Sequence, residues 1–294
     1  FDTLAMQQGG FIAKFDSSGN GLWSKKIFSN HFGANPAYSV ISFQYLYNDL
    51  YMFGCRFDSV TIDTIAFSNK NYYSQILTRW DTTGVIQWAR EFAGPSLSAF
   101  GSMSFDNLGN LFCAGTFNGT YAIFGTDSIH SSDPVNAFIV KYDTSGTKLW
   151  LKQINTSQNL YSWGNYSDGD GNFYISGSFS GNASFGTYNV TANTTEDMFL
   201  ARFNSNGDCL GARHTGEAMA FRVISDANGS ALVTGEFINT VNFDSYSLTS
   251  QGDYDMFVAK IDAFTGIGGE ERTINNQLLI YANPTAGKCN ITVP

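Results

Sequence analysis

Carboxylates are the residues whose spacing most invites a chemical reading in this chain of 294 residues. An acidic or amide residue, Asp16, Asp81, Asp143, Asn204 and Asp262, recurs at intervals of 58–65 residues. Paired carboxylates are the equipment of acid–base hydrolysis. A residue that returns at the same place in every copy of a repeat is first a turn or packing device. Catalysis needs unlike groups converging on one point, whereas a repeat supplies like groups at separate points. Glu236 breaks the pattern, because it follows Gly235 where the other copies carry Cys55, Thr116 and Ser178. It is expected to be a tolerated surface residue, with a place facing a channel as the alternative.

Asp168, Asp170 and Asn172 put oxygen ligands at alternate positions, like the front of a calcium loop. The sixth position is Phe173 rather than glycine, and no later glutamate falls in register. The corresponding stretches 106–110 and 226–230 read as plain turns, so a hairpin turn is expected and no metal is assigned. His31, His130 and His214 are isolated and are expected on the surface or in loops. H-E-x-x-H, G-x-S-x-G, P-loop and dinucleotide patterns are all missing, so no catalytic residue and no cofactor is assigned. Cys55, Cys113, Cys209 and Cys289 show no C-x-x-C spacing and are too sparse for a disulfide scaffold, though one long-range bridge stays open. Trp23, Trp88 and Trp150 recur in register, which argues for packing between repeats. Trp163 lies outside that register and is the better candidate for an exposed contact.

The elements that must position these residues are short strands. One segment recurs as FIAKFDSSGNGLW, ILTRWDTTGVIQW, FIVKYDTSGTKLW, FLARFNSNGDCLG and FVAKIDAFTG. A second reads NDLYMFGCRF, GNLFCAGTF, GNFYISGSF and GSALVTGEF, and a weaker third reads IDTIAF, FGTDSI, FGTYNV and FDSYSL. Alternating β-branched and aromatic residues make strands, and D-x-x-G makes the turn that joins them. The repeats run roughly over 1–61, 62–123, 124–184 and 185–242, with a partial fifth to about 266. About four strands fit each copy, and no stretch sustains a helical period. Four short antiparallel strands cannot bury both faces alone, but stacking like units around an axis buries them. The fold class expected is therefore all-β, a β-propeller with four-stranded blades of about 60 residues. A β-solenoid is the runner-up.

The net charge of −9 and the lack of a basic stripe exclude a nucleic-acid groove. No apolar run is long enough to span a bilayer, so no transmembrane segment is expected. Both ends are read as cuts in a longer gene product.

The F-[IV]-[AV]-K-x-D strand, the S-G-x-x-L-W hairpin and the G-N-x-[YF]-x-x-G-x-F strand resemble the SBBP, or seven-bladed β-propeller, repeat of bacterial surface and secreted proteins. The resemblance covers nearly all of residues 1–266 and drifts in the fourth copy, where Asn204 replaces Asp and Gly211 stands in place of Trp. A polar linker follows at 267–276. Residues 277–294 resemble the opening of a type IX secretion C-terminal sorting domain, with Tyr281, Asn283, Pro284 and Gly287 matching its Y-P-N-P-x-x-G motif and Ala282 replacing the first proline. That resemblance implies export across the outer membrane of a Bacteroidetes-type cell, with the type IX machinery as a partner. Triplets such as Asp63-Thr-Ile65 and Asp127-Ser-Ile129 resemble the O-glycosylation pattern of such exported proteins. The functional expectation is a secreted or cell-surface, non-catalytic module for an extracellular protein or glycan. The alternative is a hydrolase or lyase with its site in the channel or in another domain.

Overall fold

The computed structural model describes residues 11–26, 38–56, 59–68, 74–94, 96–132, 135–243 and 246–262. Their regular structure is entirely strand, paired in antiparallel ladders. The strands fall into five successive units. Unit 1 contributes β1 (Phe11–Phe15) and β2 (Gly21–Lys26). Unit 2 comprises β3 (Tyr38–Leu46), β4 (Asp49–Arg56), the short pair β5 (Val60–Ile62) and β6 (Ile65–Phe67), then β7 (Ser74–Asp81) and β8 (Ile86–Ala93). Unit 3 comprises β9 (Ser96–Phe105), β10 (Leu111–Asn118), the short pair β11 (Tyr121–Phe124) and β12 (Asp127–His130), then β13 (Val135–Tyr142) and β14 (Lys148–Thr156). Unit 4 comprises β15 (Leu160–Ser167), β16 (Phe173–Phe179), the short pair β17 (Asn182–Phe185) and β18 (Tyr188–Thr191), then β19 (Asp197–Phe203) and β20 (Cys209–Gly216). Unit 5 contributes β21 (Ala218–Ser225), β22 (Ala231–Phe243) and β23 (Tyr246–Ile261).

The long strands of a complete unit pair in chain order, first to fourth. The short hairpin between the second and third strands leaves its own unit. β11 pairs with β8 of unit 2 through Ile123↔Ala93 and Phe124↔Phe92, and β17 pairs with β14 of unit 3 through Asn155↔Ser184 and Thr156↔Ala183. Two sheets thereby reach six strands, the last two lent by the following unit. This revises the expectation of four strands per repeat: the weak third motif is a hairpin of its own. It covers the fourth-strand edge that a four-stranded blade would leave open. Its two-residue turns have positive φ at the first central residue, 69° at Gly125, 65° at Gly186 and 52° at Asp63.

In units 2 to 4 the second and third strands are buried on both faces, and every residue of β13 and β16 is buried. One face meets the preceding unit and the other meets the next. Tyr51, Phe53, Leu77 and Phe92 of unit 2 share a cluster with Met103, Leu111, Cys113 and Phe138 of unit 3. Phe112 and Ile139 of unit 3 join Leu160, Phe173 and Phe199 of unit 4, and Tyr174, Met198 and Leu200 of unit 4 join Ala218, Ala220, Val233 and Phe257 of unit 5. First strands contact their successors in the order β3, β9, β15, β21. Burying a Phe or Leu fully contributes about 1.5–3 kcal/mol, so these faces supply most of the cohesion. The chain is a β-propeller-like, all-β repeat protein.

The glycine of the second motif is needed for close approach. A Cβ at Gly177 would stand 1.8 Å from the Tyr161 carbonyl oxygen and 2.8 Å from the Phe199 ring, and Gly235 is hemmed in the same way by Met219 and Phe257. Unit 2 departs from this motif. Its ladder places Arg56, not Phe57, where Phe117, Phe179 and Phe237 stand. Arg56 is 1% exposed and is paired with Glu91, which also accepts from Ser74 Oγ at 3.0 Å. A buried guanidinium needs such a partner.

Candidate functional site

The recurring carboxylates close turns. Asp16, Asp81 and Asp143 each accept through Oδ1 from the backbone amides two and four residues ahead, at 2.8–3.0 Å, and Asn204 does the same through its amide oxygen. Asp106, Asp168 and Asp226 repeat the device between first and second strands. Asp168 also accepts from Asn172 Nδ2 at 2.9 Å, so its oxygens are engaged inside its own turn. Hydrogen bonds to the ionised form hold Asp16 and Asp81 below the usual carboxylate range, led by Asn20 and Thr83 respectively.

At this turn-bearing end the units are latched together. Trp23 Nε1 donates to Thr82 O at 3.0 Å, Trp88 Nε1 to Thr144 O at 3.2 Å, and Trp150 Nε1 to Ser205 O at 3.0 Å. Each acceptor is the second residue of the next unit's D-x-x-G turn. The same carbonyl accepts from the cation of the preceding unit's third strand, Lys14, Arg79 or Lys141. The turn glycine lies against the indole: a Cβ at Gly84 would be 3.0 Å from Trp23, and one at Gly146 would be 2.8 Å from Trp88. Arg79 is also paired with Asp49 of its own unit at 2.6 Å and Lys141 with Asp106 at 3.3 Å, and Lys260, at the like position of β23, pairs with Asp226 at 2.8 Å. The register-based expectation for the three tryptophans agrees with this geometry, and the charged residues around them are structural.

The opposite end is irregular. A cleft of about 280 Å³ is lined by Glu196, Glu217, Met219, Glu236 and Tyr254, among others. Glu196 lies just ahead of β19, Glu217 is the single residue linking β20 to β21 with φ of 54°, and Glu236 lies on β22 opposite Met219. None of these three carboxylates recurs in the other repeats. Glu236, expected as a tolerated surface residue with a channel-facing place as the alternative, is half-buried and lines this cleft. Glu196 accepts from Ser178 Oγ at 2.5 Å, and Ser178 pairs across the ladder with Tyr161.

Tyr161 leads to an aromatic row. Its ring stacks on Trp163, with centroids 6.0 Å apart and planes 9° apart, and Trp163 tilts against Phe221 at 5.1 Å. Trp163 and Phe221 occupy like positions, each the extra residue of a bulge in a first strand, between Ser162 and Gly164 and between Ala220 and Arg222. A bulge turns its extra side chain out of the ladder's alternation. Trp163 is half-buried rather than fully exposed, because its neighbours are also rings.

His214 corrects another expectation. It sits on β20 and bonds through Nδ1 to Asp197 Oδ2 at 2.8 Å, with its ring edge-on to Phe179. Asp197 is fully buried; desolvation works to raise its pKa, but bonds from His214, Asn193 and Thr194 outweigh that and hold it low. His130 is exposed on β12 beside Ser128 Oγ. Cys55, Cys113 and Cys209 are free thiols. Burial pushes Cys55 up to about 11 and Cys209 to about 12, so neither is a thiolate at neutral pH. Among the described residues no His, Cys, Asp and Glu cluster could hold a metal, and no helix is long and apolar enough to cross a membrane. His31, Cys289, the linker 267–276 and the sorting residues Tyr281, Asn283, Pro284 and Gly287 lie outside the described residues.

No family model matches the chain. A protein described as an uncharacterized WD repeat-containing protein of Acanthamoeba polyphaga mimivirus is 27% identical over 189 residues, which take in 55% of this chain and 14% of that protein. The chain thus spans about one seventh of the relative's length. A Trp-Asp pair is a sequence mark of one class of propeller blade. Here Trp80 and Asp81 form such a pair at the end of β7, where the other repeats carry Phe, Tyr or Ile before the acid or amide.

Proposed function

We propose that this chain is a non-catalytic interaction module that binds hydroxyl-rich glycans at the end of the array opposite the latch turns. The observation that carries this reading is the row of Tyr161, Trp163 and Phe221 rings, linked to the cleft of Glu196, Glu217 and Glu236 through Ser178, which bonds Glu196 and lies opposite Tyr161 in the ladder. Aromatic faces stack on the apolar faces of sugars, and carboxylates accept hydrogen bonds from their hydroxyls. The likeness to a WD repeat-containing protein supports a repeat-based binding role. Titration with oligosaccharides should quench or shift tryptophan fluorescence, and Trp163→Ala should abolish the response. A panel of acidic and neutral glycans that leaves the chain silent would overturn the ligand class.

A second reading is favoured by one feature, the convergence of three carboxylates that no other repeat carries. In a hydrolase they would supply an acid and a base. Cleavage of a polysaccharide that is lost in Glu236→Gln, with binding kept, would establish it. Export by a type IX system to the medium or cell surface is also proposed, on the strength of residues 277–294. A reporter fused ahead of Gln277 and its natural continuation should reach the surface of a type IX-competent host, and retention in the periplasm would refute it.

A further inference from the structure

One carboxylate ties down the link between units 4 and 5. Asp197 opens β19 and is fully buried. Each of its oxygens is used twice. Oδ1 accepts from Thr194 N at 3.0 Å and from Thr194 Oγ1 at 2.7 Å, while Oδ2 accepts from Asn193 N at 2.9 Å and from His214 Nδ1 at 2.8 Å. Three of these four donors belong to the segment leading into β19, so the carboxylate fixes the turn on which Glu196 stands. Bonds to an ionised acceptor are the stronger kind.

The same turn holds Glu217. Its amide donates to Glu196 O at 3.0 Å and to Thr194 Oγ1 at 3.1 Å, and its carbonyl accepts from Ile238 N at 3.0 Å. Glu217 has φ of 54°, a conformation that a residue with a side chain keeps only where its surroundings fix it. Gly216 before it must lack a side chain, because a Cβ there would stand 2.7 Å from Thr194 Cγ2. Ile238 lies two residues beyond Glu236 on β22. Bonds thus run from Asp197 through Thr194 to Glu217, and on to the strand that bears Glu236.

The other complete units treat this place differently. Ser74 stands there in unit 2, and its hydroxyl turns to Glu91 at 3.0 Å. Asn136 stands there in unit 3 and accepts directly from Thr156 N at 3.3 Å. Of these three units only unit 4 has a carboxylate here, and it is the unit whose turn and link bring Glu196 and Glu217 to the cleft.

We infer that Asp197 is a positioning residue of the proposed glycan cleft: acting through Thr194, it holds Glu196 and Glu217 where a ligand meets them. Its role presupposes binding at that cleft. Asp197 has no exposed surface with which to touch a ligand, and the Thr194 hydroxyl transmits its hold.

NMR of the full chain tests the clamp without any ligand. The amide proton of Glu217 should move upfield in Asp197→Asn and in Thr194→Val, as a hydrogen bond to it weakens, and return in Thr194→Ser, which keeps the hydroxyl. The amides of Leu200 and Ala201, in the ladder with β16, should stay where they are. Binding is then read with cellohexaose and chitohexaose as probes. Affinity should fall about tenfold in Asp197→Asn and Thr194→Val, the worth of one bond to a charged acceptor, and recover in Thr194→Ser. The tryptophan response at saturation should not change, because the row of Tyr161, Trp163 and Phe221 is left intact. If Asp197→Asn does not fold, the two Thr194 variants carry the test. An unmoved Glu217 amide overturns the clamp. An affinity loss as large in Thr194→Ser as in Thr194→Val also overturns it, since packing rather than the hydroxyl would then be at work. If neither sugar binds the wild type, the glycan reading falls, and the Glu217 amide alone upholds or overturns the clamp.

Discussion

The junctions leading into units 2, 3 and 4 each carry a tryptophan latch, whereas the junction from unit 4 to unit 5 has Gly211 where the indole would be. At the junction of units 2 and 3 the core is built of large rings, with Phe92 within about 6 Å of Phe124, Phe138 and Tyr142, and Phe124 against Phe138. At the junction of units 4 and 5 the core is rich in alanine, with Ala218, Ala220, Ala231 and Ala259 all buried. There β15 and β21 approach closely enough that a Cβ on Gly164 would be 3.0 Å from the Arg222 Cα. One repeat thus has two solutions to the same contact. At the junction of units 2 and 3 an indole reaches a turn carbonyl beside a core of large rings; at the junction of units 4 and 5 small side chains fill the core and no indole stands at that place. The clefted, acid-bearing end also belongs to the junction that lacks the latch, so irregularity and the candidate site coincide.

The sharpest way to break this comparison is Trp88→Ala. It deletes an indole that is 8% exposed and removes one of the two donors to the Thr144 carbonyl, Arg79 being the other, and it should cost about 3–5 kcal/mol in urea unfolding. Trp88→Phe should cost only about 1 kcal/mol more than the packing it disturbs, the worth of the lost hydrogen bond. If Trp88→Ala unfolds like the wild type, the latch is ornamental. Gly146→Ala tests the receiving turn. Its φ is 76° and its Cβ would press on Trp88, whereas Gly125 has φ of 69° with open space around it. Gly125→Ala should cost about 1 kcal/mol for backbone strain, and Gly146→Ala about 1–3 kcal/mol beyond that for the clash. Equal losses would show that the indole yields freely.

Acid titration separates unit 4 from units 2 and 3, where Ser74 and Asn136 stand in place of Asp197. A carboxyl held below its unfolded value of about 3.9 contributes stability above that pH and loses it as the pH falls through the folded value. Unfolding of the wild type should therefore steepen below about pH 4, and Asp197→Asn should flatten that limb while lowering stability at pH 7. An unchanged acid limb would remove Asp197 from the account. The smallest effect is expected at Lys260, partly exposed beside Asp226. Lys260→Ala should cost well under about 1 kcal/mol and less still in high salt, because solvent screens the pair.

Much of this was legible in the sequence. The period, the D-x-x-G turns and the register of Trp23, Trp88 and Trp150 follow from local chemistry repeated in one chain, and a repeated residue keeps a repeated environment. The short hairpins were harder to read. Three- and four-residue strands carry little alternation, and nothing local says that they pair with the preceding unit. Arg56 follows Cys55 in the register of the repeating phenylalanine, but that its guanidinium is buried against Glu91 is decided only by the fold.

The sequence by itself determined the all-β class, the repeat length and the structural role of the recurring acids, since those rest on contacts within a few residues or on strict periodicity. Tertiary structure alone decided that Glu196, Glu217 and Glu236 share one cleft, that Trp163 and Phe221 meet from different units, and that Asp197 buries its charge against His214. Those pairs are 17–58 residues apart in the chain, and their meeting depends on how one sheet face lies on the next, which no local pattern encodes.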